Sequence, residues 1–106
     1  MPTLLQFYFP FAGPWGEEMA GALAGLAHDI SGTPGLRWKI WTENRTEGRA
    51  GGIYLFDDAA SAEAYRTLHT LRLRNIGIGE VRALTFSVNE TLSAATRGPL
   101  AAAATR

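Results

Sequence analysis

The stretch from residue 36 to residue 57, LRWKIWTENRTEGRAGGIYLFD, constrains the fold more than any other part of the chain. It reads as two strands joined by a polar loop, and strand alternation puts Trp38 on one face of the first strand and Trp41 on the other. The IYLF segment at 53–56 likewise gives each face of the second strand large apolar side chains. A strand with one solvated face should alternate apolar and polar residues. Both faces of this sheet must therefore be covered, one by the helices of the chain and the other by a partner, a ligand or both.

The remaining segments predict the order β-α-β-β-α-β, which is typical of the ferredoxin-like α+β fold. In this fold a four-stranded antiparallel sheet carries both helices on one face. Strands are predicted at 3–10, 36–43, 51–56 and 80–88, and helices at 17–31 and from Asp57 or Asp58 to Asn75. Residues 1–93 form the predicted domain, and the alanine-rich residues 94–106 a flexible tail or dimer arm. The uncovered sheet face favours a back-to-back homodimer.

Composition excludes several classes of function. Ten basic and ten acidic residues balance, so the basic excess typical of nucleic-acid binding is absent. No apolar run approaches the roughly 18 residues of a membrane helix, and no signal peptide is visible, so we expect a cytoplasmic protein without membrane contacts. The chain has no cysteine, and its two histidines lack metal-ligand spacing, so we expect no metal site. No GxGxxG phosphate-binding loop is present.

The second predicted helix carries the first candidate for proton transfer. Ala62, Tyr65, His69 and Leu73 recur at helical spacing and predict a stripe that faces the sheet. His69 is therefore the candidate general base, since an imidazole can exchange protons near neutral pH. The alternative is a structural histidine that is hydrogen-bonded between helix and sheet.

Several other side chains could line a binding pocket. Trp38, Trp41 and Tyr54 could wall an aromatic pocket by stacking, or could belong to the core or the dimer interface. Trp15 could be a pocket lid, or a hydrophobic staple for the first helix. Gln6 could orient a substrate oxygen, or bond across a dimer.

The segments MPTLLQFYFPFAGPWGEEMA, PGLRWKIWTE, AGGIYLF, AYRTLHTLRLRNIG and VNETLS resemble the YdhR-type monooxygenase family. The likeness runs from Pro2 to about Ser93. This family belongs to the dimeric α+β barrel superfamily, which also contains the antibiotic-biosynthesis monooxygenases. The resemblance implies two ferredoxin-like subunits packed sheet to sheet, with a pocket between each sheet and its own helices. It also implies oxidation of phenolic compounds by O₂ without metal, flavin or haem.

Together, the residues and the resemblance predict a homodimeric, cofactor-independent monooxygenase that acts on a small aromatic or quinol-type compound. His69 is the expected base. The residues expected to position the ring are Tyr65, Tyr54, Trp38 and Trp41. Two alternatives remain open: a non-catalytic dimer that binds small ligands, and an isomerase-like enzyme that transfers protons without O₂.

Overall fold

The computed structural model describes residues 1–101 and has four strands and four helices over that range. In chain order the elements are β1 (Thr3–Pro10), α1 (Gly16–Ala22), α2 (Ala24–Ser31), β2 (Leu36–Asn44), β3 (Arg49–Phe56), α3 (Ala59–Asn75), β4 (Arg82–Ser87) and α4 (Glu90–Ala95). The strands form one sheet in the order β2-β3-β1-β4, and every neighbouring pair is antiparallel. This is the predicted ferredoxin-like α+β arrangement, with additional helical structure after β4.

Strand alternation in β1 separates the two faces of the sheet. Leu5, Phe7 and Phe9 are buried on the face that α3 packs against, whereas Gln6 and Tyr8 point to the opposite, far face. Because β1 pairs with both β3 and β4, and residues paired across strands lie on the same face, the faces of β3 and β4 residues follow from those of their β1 partners. The core therefore lies between the helices and one face of the sheet.

The strand β2 departs from the simple alternation that its sequence predicts. Leu36 pairs with Phe56 and Trp38 pairs with Leu55, so a bulge at Arg37 inserts one extra residue. Leu36 therefore packs against the core, although Trp38 points to the far face. Strict alternation had placed these two residues on the same face.

The first predicted helix is divided into α1 and α2 at Leu23, whose backbone leaves the helical region with φ −105° and ψ 11°. Gly21 and Gly25 flank this break, and a glycine inside a helix costs about 1 kcal/mol relative to alanine. Leu23 and Leu26 pack on the core from this broken segment. The helix is therefore held in place by its apolar contacts more than by helix propensity.

The helix α3 follows its sequence pattern closely. Its buried residues are Ala62, Tyr65, His69 and Leu73, which confirms the predicted stripe. Asp58 caps the helix by accepting a hydrogen bond from the Ser61 amide at 2.7 Å. The cap and the stripe together fix the rotation of α3 over the sheet.

The C-terminal segment returns to β2. The Trp38 Nε1–H donates to the Pro99 carbonyl at 2.8 Å, and Arg37 donates to the Leu100 carbonyl. The predicted boundary at residue 93 falls inside α4, and the part of the predicted tail from residue 102 onward lies outside the described residues. In residues 1–101 no helix is both long and apolar enough to cross a membrane. The cytoplasmic location stays a prediction from the sequence.

Candidate active site

A cavity of about 50 Å³ lies between the sheet and the helices α1, α2 and α3. Its walls are mostly apolar, and they include Phe9, Met19, Leu26 and Leu73. A wider cleft of about 320 Å³ adjoins it and shares Met19, Leu23 and Trp41 with its lining. These three side chains separate the inner cavity from the open cleft, and Trp41 is 37% exposed. Trp41 therefore lies between the inner cavity and the cleft.

One wall of the cavity consists of closely packed aromatic rings. The His69 ring stacks on Tyr65 with centroids 5.0 Å apart, and Phe7 meets His69 edge-on at 5.0 Å. Tyr54 lies 4.9 Å from Tyr65, and the Tyr65 hydroxyl donates to the Tyr54 hydroxyl at 3.2 Å. Such edge-on and offset contacts fix ring orientation beyond simple burial. This wall is therefore a rigid platform with polar atoms at defined positions.

The protonation of His69 is set by its surroundings. Burial, with Lys39 and Arg72 adding repulsion, lowers the pKa of His69 to about 3. The Arg72 guanidinium donates to His69 Nδ1 at 3.2 Å. Because a guanidinium has no acceptor and keeps its protons, Nδ1 is the acceptor and the neutral ring carries its proton on Nε2. His69 therefore offers a hydrogen-bond donor at neutral pH.

The two buried tyrosines also keep their protons. Burial raises the pKa of Tyr65 to about 12 and raises the pKa of Tyr54 further. Both hydroxyls therefore stay neutral near pH 7 and remain able to donate.

Lys39 is the remaining titratable group of the cavity wall. Its Nζ lies 3.4 Å from the centroid of the Trp41 ring and 4.7 Å from that of Tyr54. Burial, with Arg72 adding repulsion, lowers the pKa of Lys39 to about 7. A lysine with this pKa is divided between the amine and the ammonium at neutral pH.

The structure brings some of the predicted site residues together and separates others. Tyr54, His69 and Trp41 line the cavity, and Tyr65 lies directly behind them. Trp38 and Gln6 do not reach it, because alternation and register put both on the far face. Trp15 is not in the lining: it precedes α1, and its ring packs against Phe11 at 5.4 Å. The base role expected of His69 does not fit its geometry, since Nδ1 is occupied by Arg72.

Sequence reasoning missed Lys39 and Arg72. Lys39 did carry a signal, because it is the only lysine in the sequence and shares a strand face with Trp41. Arg72 carried a weaker one, since it follows His69 by three residues on α3 and so lies beside it on the helix surface. Among residues 1–101, no group of three or more metal-ligating side chains occurs.

Fold and cavity together define a ferredoxin-like α+β protein with a small apolar cavity and an adjoining open cleft between its sheet and its helices. The family model described as "Putative mono-oxygenase ydhR" matches residues 4–99, and the chain belongs to this monooxygenase family.

Two solved structures share the fold. SnoaB, a cofactor-independent oxygenase from Streptomyces nogalater, superposes with a TM-score of 0.60 at 16% identity, covering 86% of this chain and 96% of SnoaB. A protein described as a "putative antibiotic biosynthesis monooxygenase" from Deinococcus radiodurans superposes with a TM-score of 0.56 at 11% identity, covering 84% of this chain and 93% of that protein. No curated protein matches the sequence significantly.

Proposed function

We propose that this protein oxidises a small aromatic or quinol-type compound with O₂, without a bound cofactor, in the cavity between sheet and helices. The observation that carries the proposal is an apolar cavity lined by Tyr54 and His69, with Tyr65 packed behind them and the His69 Nε2–H left as a donor. Membership of the monooxygenase family and the shared fold with a cofactor-independent oxygenase support it.

The proposed reaction requires little of the protein beyond binding and electrostatics. A ring CH₂ group becomes C=O while the second oxygen atom leaves as water, so the substrate itself supplies all four electrons. The Lys39 amine takes the proton of the substrate, and the protein binds the ring, excludes water and stabilises the oxyanion that results. In this scheme Trp41 and Tyr54 position the ring, and His69 Nε2–H donates to the oxyanion.

Oxygen consumption by the purified protein with anthrone tests the proposal. We expect uptake above the autoxidation rate, insensitive to chelator, and about 10²-fold slower in His69→Phe, because one oxyanion donor contributes that much. His28→Ala is the matched control, since His28 is exposed and is not part of the cavity lining. Uptake no faster than autoxidation would contradict the proposal.

An O₂-independent proton transfer is the second candidate, and Lys39 favours it. A base works best when its pKa lies near the working pH, as the pKa of Lys39 does. Deuterium exchange at the anthrone CH₂ under nitrogen, with no oxygen uptake in air, would identify this activity. Binding of anthrone with neither exchange nor uptake would identify a non-catalytic ligand-binding protein.

We also propose that two copies of the chain pair through the far faces of their sheets. The most exposed large apolar side chains there are Ile40 at 55%, Leu84 at 45% and Phe86 at 45%. Their cross-strand partners Ile53, Gln6 and Leu4 place all three on this one surface. An exposed apolar patch of this kind marks an interaction surface.

A further inference from the structure

The polar atoms around the cavity are unbalanced in charge. Lys39 lines the cavity and Arg72 bonds to His69 in its wall, yet the lining contains no aspartate or glutamate. The two ion pairs found in residues 1–101 are Arg37–Asp57 and Arg66–Glu63, and neither touches the cavity. The inner cavity therefore has two cationic side chains and no carboxylate, whereas the adjoining cleft is lined by Glu43, whose carboxylate accepts hydrogen bonds from the Gly16 amide.

The position of Lys39 is built into the strands. Lys39 pairs with Tyr54 across β2 and β3, which directs it to the helix side of the sheet. Its stem lies over Gly52, where a Cβ atom would come within 2.6 Å of the Lys39 Cε. The absent side chain at residue 52 leaves the space in which Lys39 lies against the Trp41 and Tyr54 rings. The side chain of Lys39 is thus held half-buried against the two rings, although a lysine normally extends to solvent.

The hydrogen-bonding groups of the site are unbalanced as well. An ammonium and a guanidinium donate but cannot accept, and the neutral His69 ring has only its Nε2–H left to offer. A ligand that satisfies these groups must therefore bring acceptor atoms. Since two of the donor groups are cationic, a negatively charged acceptor gains the most.

We propose that the ligand of this cavity is a small aromatic acid, bound as its carboxylate or phenolate anion with the charged oxygen facing Lys39. The inference rests on the proposed function in that it concerns the same site, and it specifies the substrate class. When the Lys39 amine removes the proton of an acidic ring compound, it becomes an ammonium. This ammonium then pairs with the anion that was formed, so proton removal and anion binding lead to the same complex. The ring enters from the cleft by displacing Trp41, which separates it from the inner cavity.

Binding of 2-naphthoate and of 2-naphthamide, measured by calorimetry under nitrogen at pH 6.5, tests the inference. The two compounds have nearly the same shape, and only the first is charged. We expect the carboxylate to bind at least tenfold more tightly. Equal affinities, or no binding of either compound, would overturn the inference.

The pH dependence assigns the effect to Lys39. The groups that face Lys39 are Tyr54 on β3 and His69, Tyr65 and Arg72 on α3, and the α1 and α2 residues of the lining are apolar. Of these, only Lys39 changes charge between pH 6 and pH 9, because its pKa is lowered to about 7. Affinity for 2-naphthoate should be constant below pH 7 and fall by about tenfold per pH unit above it.

Two variants complete the test. Lys39→Arg should keep its affinity to pH 9, because an arginine stays charged, whereas Lys39→Met should lose the preference for the anion at every pH. Since the sequence has a single lysine, ¹³C-lysine NMR reports the Lys39 titration directly, and its pKa should rise when 2-naphthoate binds. An unchanged Lys39 pKa on binding would overturn the inference. If the protein prefers the anion but consumes no oxygen, the proposed oxidation is contradicted and the inference about the ligand is not.

Discussion

At the scale of single residues, His69 and Lys39 show what burial does to two basic groups that face each other. Desolvation lowers the pKa of both, to about 3 for His69 and to about 7 for Lys39. Because these values differ, each residue is suited to a different task at neutral pH. His69 is a fixed hydrogen-bond donor, and Lys39 can exchange a proton.

The lowered pKa of His69 predicts how stability depends on pH. Above pH 6.5 the imidazole is neutral in both the folded and the unfolded chain, so it adds no pH dependence. Below pH 6.5 the unfolded chain takes up a proton that the folded protein does not, so stability falls as the pH falls toward 3. The loss approaches about 1.4 kcal/mol per pH unit.

Urea denaturation at steps between pH 6.5 and pH 4 measures this effect. The free energy of unfolding of His69→Gln should fall less steeply than that of the wild type. His28→Gln is the control, because His28 is exposed, and it should follow the wild type. Equal slopes for His69→Gln and wild type would show that the buried imidazole does not cause the pH dependence.

At the scale of elements, two adjacent glycines in β3 let the sheet and the site form together. A Cβ atom at Gly51 would run into the Phe7 carbonyl oxygen of β1, and one at Gly52 would meet Lys39. Gly51 therefore permits the close approach of β1 and β3, and Gly52 makes room for the half-buried Lys39. The helix α3 completes the site, because its stripe directs Tyr65 and His69 at the same region of the sheet.

Alanine at two glycines should have opposite effects on stability. Gly51→Ala should lower the free energy of unfolding by about 1–3 kcal/mol, because the new methyl group overlaps the Phe7 carbonyl. Gly25→Ala in α2 should raise it by about 0.5–1 kcal/mol, since no atom lies within 4 Å of the added carbon and alanine favours the helix. Chemical denaturation of both variants measures the two changes in the free energy of unfolding. An unchanged free energy of unfolding in Gly51→Ala would contradict the close approach of β1 and β3.

At the scale of the whole molecule, the sheet separates two apolar regions with different roles. The helix-covered face encloses the cavity, while the far face leaves Ile40, Leu84 and Phe86 exposed. The C-terminal segment reaches β2 at Trp38 through the Pro99 carbonyl. The exposed area that remains is the surface proposed for pairing with a second copy.

Sedimentation of surface variants tests the proposed pairing. The wild type should sediment as a dimer at about 10 µM, and Phe86→Asp as a monomer, because burying an unpaired charge opposes association. Leu71→Asp is the matched control: Leu71 is 53% exposed, but it lies on α3, away from the sheet face. A monomeric wild type, or loss of the dimer in both variants, would contradict pairing through the far face.

The sequence by itself determined the β-α-β-β-α-β order of the core and the stripe of Tyr65, His69 and Leu73 on α3, but not the break between α1 and α2 or the helix α4. The order and the stripe follow from helix and strand periodicity, which depends only on residues close together in the chain. The two-sided apolar pattern at 36–57 likewise predicted a sheet that must be covered on both faces. The sequence also predicted that Asp57 or Asp58 begins the helix α3, and the structure selects Asp58 as the cap.

The tertiary structure alone decided which of these residues share a site. The bulge at Arg37 comes from the pairing of β2 with β3 and reverses the face expected for Leu36. The contact from Arg72 gives His69 its tautomer, and burial against Trp41 and Tyr54 lowers the pKa of Lys39. Desolvation and hydrogen-bond partners arise from residues distant in the chain, so no local pattern encodes them. For that reason the sequence identified an aromatic wall with a histidine, and only the packed molecule added the lysine that faces it.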